Sequence, residues 1–327
     1  MIIDAHAHIV MTDADYAKMA TLTGARNNPP QAAKLPAAEV AEKTARGLLA
    51  KMDQVGTDVQ FLSPRPYLQM HSLGPAGVPL HWARYCNNLI HQQVEMFPDR
   101  LKGVAGLPQF RAESPANCVE ELERCVRELG FIGCILNPDP TEGDALPPPG
   151  LGDRFWYPLY EKLVELDVPA LIHSAGCCHP RESYTLKFIN EGSIAVMSLL
   201  QSDVFKDFPT LKIVISHGGG AIPYQIGRFR AGAWRRGREF DQELRQLYFD
   251  TCLYSREGLE LLFQVVGADN CLFGTERPGT GSVHNPHWGH DLDDLKPVIE
   301  SIDFLTAEDK AKIFEGNARR IYRKAFA

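Results

Sequence analysis

No stretch of the chain approaches the roughly 20 consecutive apolar residues of a membrane span, although 44% of its 327 residues are hydrophobic. The first apolar run, Met1 to Ile3, follows no basic segment and is far too short for the core of a secretory signal. A cytoplasmic location with no membrane partner is therefore expected. Basic charge is scarce as well: 34 Lys and Arg stand against 41 Asp and Glu, a net charge of −7. That balance argues against a nucleic-acid partner, whose phosphates need a basic footprint. An acidic substrate would have to be drawn in by a local arginine cluster, since the overall field repels it. None of the eight cysteines sits in a CxxC pair. Several fall in predicted helices or apolar strands, as expected of buried thiols in a reducing compartment. The adjacent Cys177 and Cys178 read as ordinary loop thiols. Linkers, low-complexity tracts and sequence repeats are absent too, which points to one domain over residues 1–327.

What is present is a rhythm. Eight short apolar runs recur, at residues 2–4, 59–64, 101–108, 131–138, 168–174, 211–220, 247–254 and 270–276. They lack clean alternation, as expected of parallel strands buried on both faces. Helical spacing fills the intervals, at 38–55, 81–97, 114–129, 153–166, 193–206, 221–237 and 256–267. Ser114-Pro115 supplies a cap and a first-turn proline for one helix, and Gly130 ends it. Eight strand–helix units over this length predict a closed α/β barrel of the (β/α)8 TIM-like type. Two stretches break the rhythm as long loops, about 11–37 and 137–152. Both follow a strand and so lie at the barrel end that carries sites. A helical C-terminal extension is expected from about residue 292.

The residues that end the strands carry the chemistry. The first run ends in His6 and His8, the fifth in His173, the sixth in His217 and the eighth in Glu276. Residues two apart on a strand project to one face, with Cα atoms roughly 6.5–7 Å apart, so His6 and His8 can reach one point together. Imidazoles and a carboxylate delivered to one rim from separate strands are hard to explain as core packing. They form a donor set for a divalent metal with room left for water. His284, His287 and His290 form a second histidine group with a spacing of three. It reads as a polar lid loop or, alternatively, as a second metal site.

DAHAH, LIH, SHGGG, FGTE and FEGNARRIY, in that order along nearly the whole chain, resemble the amidohydrolase superfamily. More narrowly, they are similar to its decarboxylase/hydratase branch, which includes aminocarboxymuconate-semialdehyde decarboxylase. That branch usually ends its eighth strand in Asp, and this chain has Glu276. With FLSPR, ELGFIGCILNPDP and HGGGAIPYQIGRFR, the glutamate resembles the 4-oxalomesaconate hydratase family, which acts in bacterial breakdown of lignin-type aromatics. The resemblance implies zinc (Zn2+, with Mn2+ as another divalent possibility) held by His6, His8, His173 and Glu276. His217 is then a neighbouring proton shuttle or an orienting residue.

A homodimer or higher homo-oligomer is implied by the same likeness. So is a small-molecule carboxylic acid substrate, for which Arg65, Arg228, Arg230 and Arg277 are candidate anchors and Asn137 a candidate oxygen-binding amide. A catalytic tyrosine is implied after the fifth strand. Tyr184 is the candidate, shifted in register; in the alternative, the role is lost at Phe188. Three reactions fit: hydration of a conjugated C=C bond, with Glu276 or His217 activating water, non-oxidative decarboxylation, and hydrolysis. A binding protein that had lost its chemistry would be expected to lack ligands, and all four positions are filled.

Overall fold

A computed structural model describes residues 1–24, 34–111 and 113–327. Each of the eight apolar runs contributes one strand: β1 (Ile3–His8), β2 (Val59–Ser63), β3 (Leu101–Gly106), β4 (Gly133–Leu136), β5 (Ala170–Ile172), β6 (Ile213–Ile215), β7 (Tyr248–Asp250) and β8 (Cys271–Leu272). All pairings are parallel and follow chain order. The ring closes just past β8. The Ala5 N–H donates to the Phe273 carbonyl at 2.8 Å, and the Glu276 N–H donates to the His6 carbonyl at 2.7 Å. Those two bonds set the first and last strand ends side by side, which makes the barrel expected from the spacing.

The helices wrap the outside: α1 (Asp13–Gly24), α2 (Ala38–Val55), α3 (Gly77–Met96), α4 (Val119–Arg127), α5 (Tyr157–Leu166) and α6 (Tyr184–Leu200), with later ones at Ile226–Trp234 and Arg256–Val266. The span of α2 agrees with its apolar periodicity, and Gly56 closes it in the left-handed conformation, φ 72°. α6 starts nine residues before the predicted 193, because Ser183 caps it by accepting the Leu186 N–H at 3.2 Å. The expected loop at 11–37 is in part a helix. In α1 the Asp15 carboxylate accepts the Thr12 N–H at 2.8 Å and its hydroxyl at 2.6 Å, and Leu22 is buried in the core. Residues 25–33 of that stretch lie outside the described residues. The 137–152 stretch is irregular, as expected.

The barrel interior is layered. Ile3, Ala5, Val59, Phe61 and Leu171 fill its lower part together with Ile321, Tyr322 and Ala325. The Tyr322 ring lies 4.9 Å from that of Phe61. The last helical turns, from Asn317 onward, thus plug the amino end of the barrel, leaving the carboxyl end open. A bulge in β1 decides what stands there. Asp4 pairs with Gln60 and Ala7 with Leu62, so β1 has one residue more than its partner. Ala5 consequently belongs to the inner cluster, whereas Ala7 and Ile9 belong to the outer one. The parity change turns His6 and His8 into the barrel mouth. Among the described residues no helix is long and apolar enough to cross a membrane.

Candidate metal centre

His6, His8, His173 and Glu276 converge at the mouth, all buried. The outer nitrogen of each imidazole reveals which nitrogen is bare. His6 Nδ1 lies 2.6 Å from Asp250 Oδ2, and an ionised carboxylate can only accept. His173 Nδ1 lies 2.7 Å from the Ser174 carbonyl, which also only accepts. His8 Nδ1 lies 2.8 Å from Ser63 Oγ, whose single proton is directed at the Ala7 carbonyl, 3.1 Å away. Each Nδ1 therefore carries the proton, and each Nε2 presents a lone pair inward.

Those lone pairs face one another. His6 Nε2 and His8 Nε2 are 3.3 Å apart. Glu276 Oε1 stands 3.6 Å from His8 Nε2 and 3.5 Å from His173 Nε2. Among the described residues His173 Nε2 has no hydrogen-bond partner although it is buried. Four acceptors in van der Waals contact with no donor among them repel one another, and a cation at their centre removes the repulsion. The spacing fits: a tetrahedron with metal–ligand bonds of about 2.0–2.2 Å has edges of about 3.3–3.6 Å. Burial pulls His8 down to about 3 and His173 down to about 4, ahead of the opposing pull of Glu276. Burial pushes the Glu276 carboxyl up, but the surrounding His173, His217 and His8 side chains outweigh it and hold it well below the usual range. Those three ligands are thus deprotonated at neutral pH, as a divalent ion requires.

The family model described as amidohydrolase matches residues 3–324. The chain belongs to the amidohydrolase family. It is 41% identical to 2-keto-4-carboxy-3-hexenedioate hydratase of Sphingobium sp. (strain NBRC 103272 / SYK-6), over 98% of this chain and 96% of that protein. The crystal structure of 4-oxalomesaconate hydratase from Rhodopseudomonas palustris superposes with a TM-score of 0.90 at 38% identity, covering 99% of this chain and 96% of that one. Gamma-resorcylate decarboxylase of Polaromonas sp. (strain JS666 / ATCC BAA-500) is 27% identical over 83% of this chain and 85% of its own length. The family and barrel expected from the motifs are thereby borne out.

In this amidohydrolase a cavity of about 420 Å3 opens over the donor set, lined by His8, Arg65, Tyr67, Tyr184, Glu276 and Thr280 among others. A smaller hollow of about 150 Å3 shares Tyr184, Glu276 and Thr280 with it, and adds Phe188, His217, Cys252 and Tyr254. His217 Nε2 lies 3.9 Å from Glu276 Oε1, and its Nδ1 lies 3.0 Å from Ser216 Oγ. Tyr184 is the first residue of α6, and Phe188 one turn later packs on His173 at 5.0 Å between ring centres. His217, Tyr254 and Glu276 follow three successive strands, β6, β7 and β8, at positive φ, 52°, 54° and 59°. Strain of that kind persists where the surroundings fix it, and here it aims three side chains into one space.

The other predicted residues are placed elsewhere. The Arg277 guanidinium turns from the cavity to Asp293 and Asp291, 2.5 and 3.1 Å away. Those bonds hold a two-stranded hairpin, β9 (His284–Asn285) and β10 (His290–Asp291). The hairpin spreads His284, His287 and His290 apart, and no metal cluster forms from them among the described residues. Arg228 is exposed, Arg230 pairs with Asp241 at 3.0 Å, and neither lines either cavity. Asn137 is buried; its amide donates to His71 Nδ1 at 3.1 Å and accepts the Asp139 N–H at 3.1 Å.

Asp250 and Ser63 are partners that the strand-end reading passed over. Asp250 ends β7, and its Oδ1 accepts N–H groups from Gly218 at 3.2 Å and Cys252 at 3.1 Å. His6, Asp250 and Cys252 could also form a metal group of their own. Burial first, with Asp250, Glu276 and Asp4, drives the Cys252 thiol well above its usual range, so it stays protonated and a poor ligand.

His6 sets the pH dependence of loading. Burial pulls it down, but the Asp250 hydrogen bond and charge, with Glu276 and Asp4, outweigh burial and raise it above 6.5. A proton on His6 Nε2 competes with the metal. Affinity is therefore full above that raised pKa and falls about tenfold per pH unit below it. Chelator competition measured from pH 5 to 9 is expected to show that slope beginning above 6.5. Flat affinity down to the pH where His173 titrates contradicts it.

Proposed function

We propose that the protein is a zinc-dependent hydro-lyase. Its reaction is addition of water to a conjugated C=C bond of a small polycarboxylic acid from aromatic-compound catabolism, as in the hydratase relatives. The observation that carries this reading is the convergence of four donor side chains, His6, His8, His173 and Glu276, beneath a cavity that also holds Arg65. A divalent ion held by His6, His8, His173 and Glu276 supplies electrophilic activation and lowers the pKa of a water. Arg65 places a forked cation at the cavity wall, where a substrate carboxylate can be gripped in two places. His217 stands beside Glu276 with its Nε2 free to take the proton from water. Tyr184 lines the same cavity, where its hydroxyl can deliver a proton to the α carbon. The tyrosines at 67 and 184 and Phe188 narrow the mouth around a flat, conjugated ligand.

Arg65→Met is expected to raise KM by about 10- to 100-fold, the worth of a charge-assisted hydrogen bond, with a smaller fall in kcat. Steady-state kinetics on an unsaturated tricarboxylic acid checks it. The reaction itself is tested by following loss of conjugated-diene absorbance beside released CO2. Bleaching with no CO2 is the expected result. Stoichiometric CO2 makes the enzyme a carboxy-lyase like the gamma-resorcylate decarboxylases, which is the reading the more distant relatives favour.

A further inference from the structure

We propose that Tyr254 is a positioning residue that fixes Glu276 as a one-oxygen metal ligand. The proposal rests on the metal-dependent reading above and assigns a role to a side chain outside the donor set. Glu276 divides its two oxygens. Oε1 faces His8, His173 and His217, whereas Oε2 accepts the Tyr254 hydroxyl at 2.6 Å. The hydroxyl has one proton, and its other neighbour, the Thr275 carbonyl, is more distant at 3.3 Å.

The chain around this bond leaves little freedom. A Cβ on Gly281 would stand 2.5 Å from the Tyr254 ring, and a Cβ on Gly279 would stand 2.2 Å from the Glu276 carbonyl. The turn after Glu276 therefore wraps both side chains and admits no side chain of its own at those two positions. A glutamate has one more rotatable bond than an aspartate and can swing both oxygens onto a metal. With Oε2 held outward, that two-oxygen mode is blocked. The coordination position it would fill stays open to water or substrate.

Tyr254→Phe removes only the hydroxyl and keeps the ring against Gly281. Chelator competition with Zn2+ is expected to show affinity weakened by about 10- to 100-fold, the usual cost of losing a partner that orients a ligand. In the metal-saturated variant kcat is expected to fall while KM stays near the wild-type value. Asp at 276 is too short to reach the hydroxyl. Tyr254→Phe in a Glu276→Asp background is therefore expected to cost little more than Glu276→Asp alone. Equal metal affinity and kcat in wild type and Tyr254→Phe, or fully additive effects in the double variant, overturn the proposal. Wild-type protein that binds no Zn2+ overturns the metal-dependent reading instead.

Discussion

Replacing His173 with alanine is expected to abolish metal binding and to lower turnover by about a thousandfold or more. The estimate follows from losing several kcal/mol of transition-state stabilisation, at about 1.4 kcal/mol per factor of ten. Among the described residues His173 Nε2 has no partner, so its inward lone pair serves only what sits at the centre. Its Nδ1 makes a single bond, to the carbonyl of the next residue, so truncation breaks no network. Removing one of four mutually repelling acceptors even relieves the metal-free fold. The apo variant is therefore expected to unfold near the temperature of the apo wild type. Added Zn2+ should raise the wild-type midpoint, since a ligand bound only to the native state stabilises it by mass action. The variant's midpoint should not move. A thermal scan with and without metal, paired with elemental analysis, checks both halves.

Asp250→Asn is expected to weaken metal binding by about 100-fold or more, at or beyond the upper end for residues that orient a ligand. The reason is a forced tautomer. Two backbone N–H groups, of Gly218 and Cys252, aim at Oδ1, and His6 Nδ1 faces Oδ2. An asparagine must give its one carbonyl oxygen to the two N–H donors, which turns its NH2 toward His6. His6 Nδ1 then has to accept, its proton moves to Nε2, and Nε2 is closed to the metal. Asp250→Ala leaves His6 free to choose its tautomer. The isosteric asparagine is thus expected to bind metal more weakly than alanine does, a reversal of the usual order. Metal titration of the two purified variants checks it; alanine as the weaker binder contradicts the tautomer account.

Much of this was legible in residues 1–327 because parallel strands leave a plain signature. Short apolar runs stopped by polar residues or glycine marked all eight strands. The residues at those stops marked His6, His8, His173, His217 and Glu276. Four things were not legible. The β1 bulge lies in the pairing of Asp4 and Ala7 with β2, which no single strand records. Asp250 stood at a strand end like the histidines, but an acid after an apolar run is common, and only its contact with His6 distinguishes it. Arg277 was an attractive anchor because it follows Glu276. Adjacency along the chain does not place two side chains in one site here, because the backbone turns at Glu276, φ 59°. The structure turns it to Asp291 and Asp293. Tyr254 lay in a run read as a strand, and nothing in its neighbours hinted at a bond to a residue 22 positions on.

The central claim is that three imidazole Nε2 atoms and one Glu276 oxygen share a single cation. X-ray absorption at the zinc edge of the metal-loaded protein tests it most directly. Only nitrogen and oxygen neighbours at about 2.0–2.2 Å are expected, with the outer-shell scattering of three imidazoles. A sulfur neighbour at about 2.3 Å would place the ion with Cys252 and Asp250 instead, and contradict it.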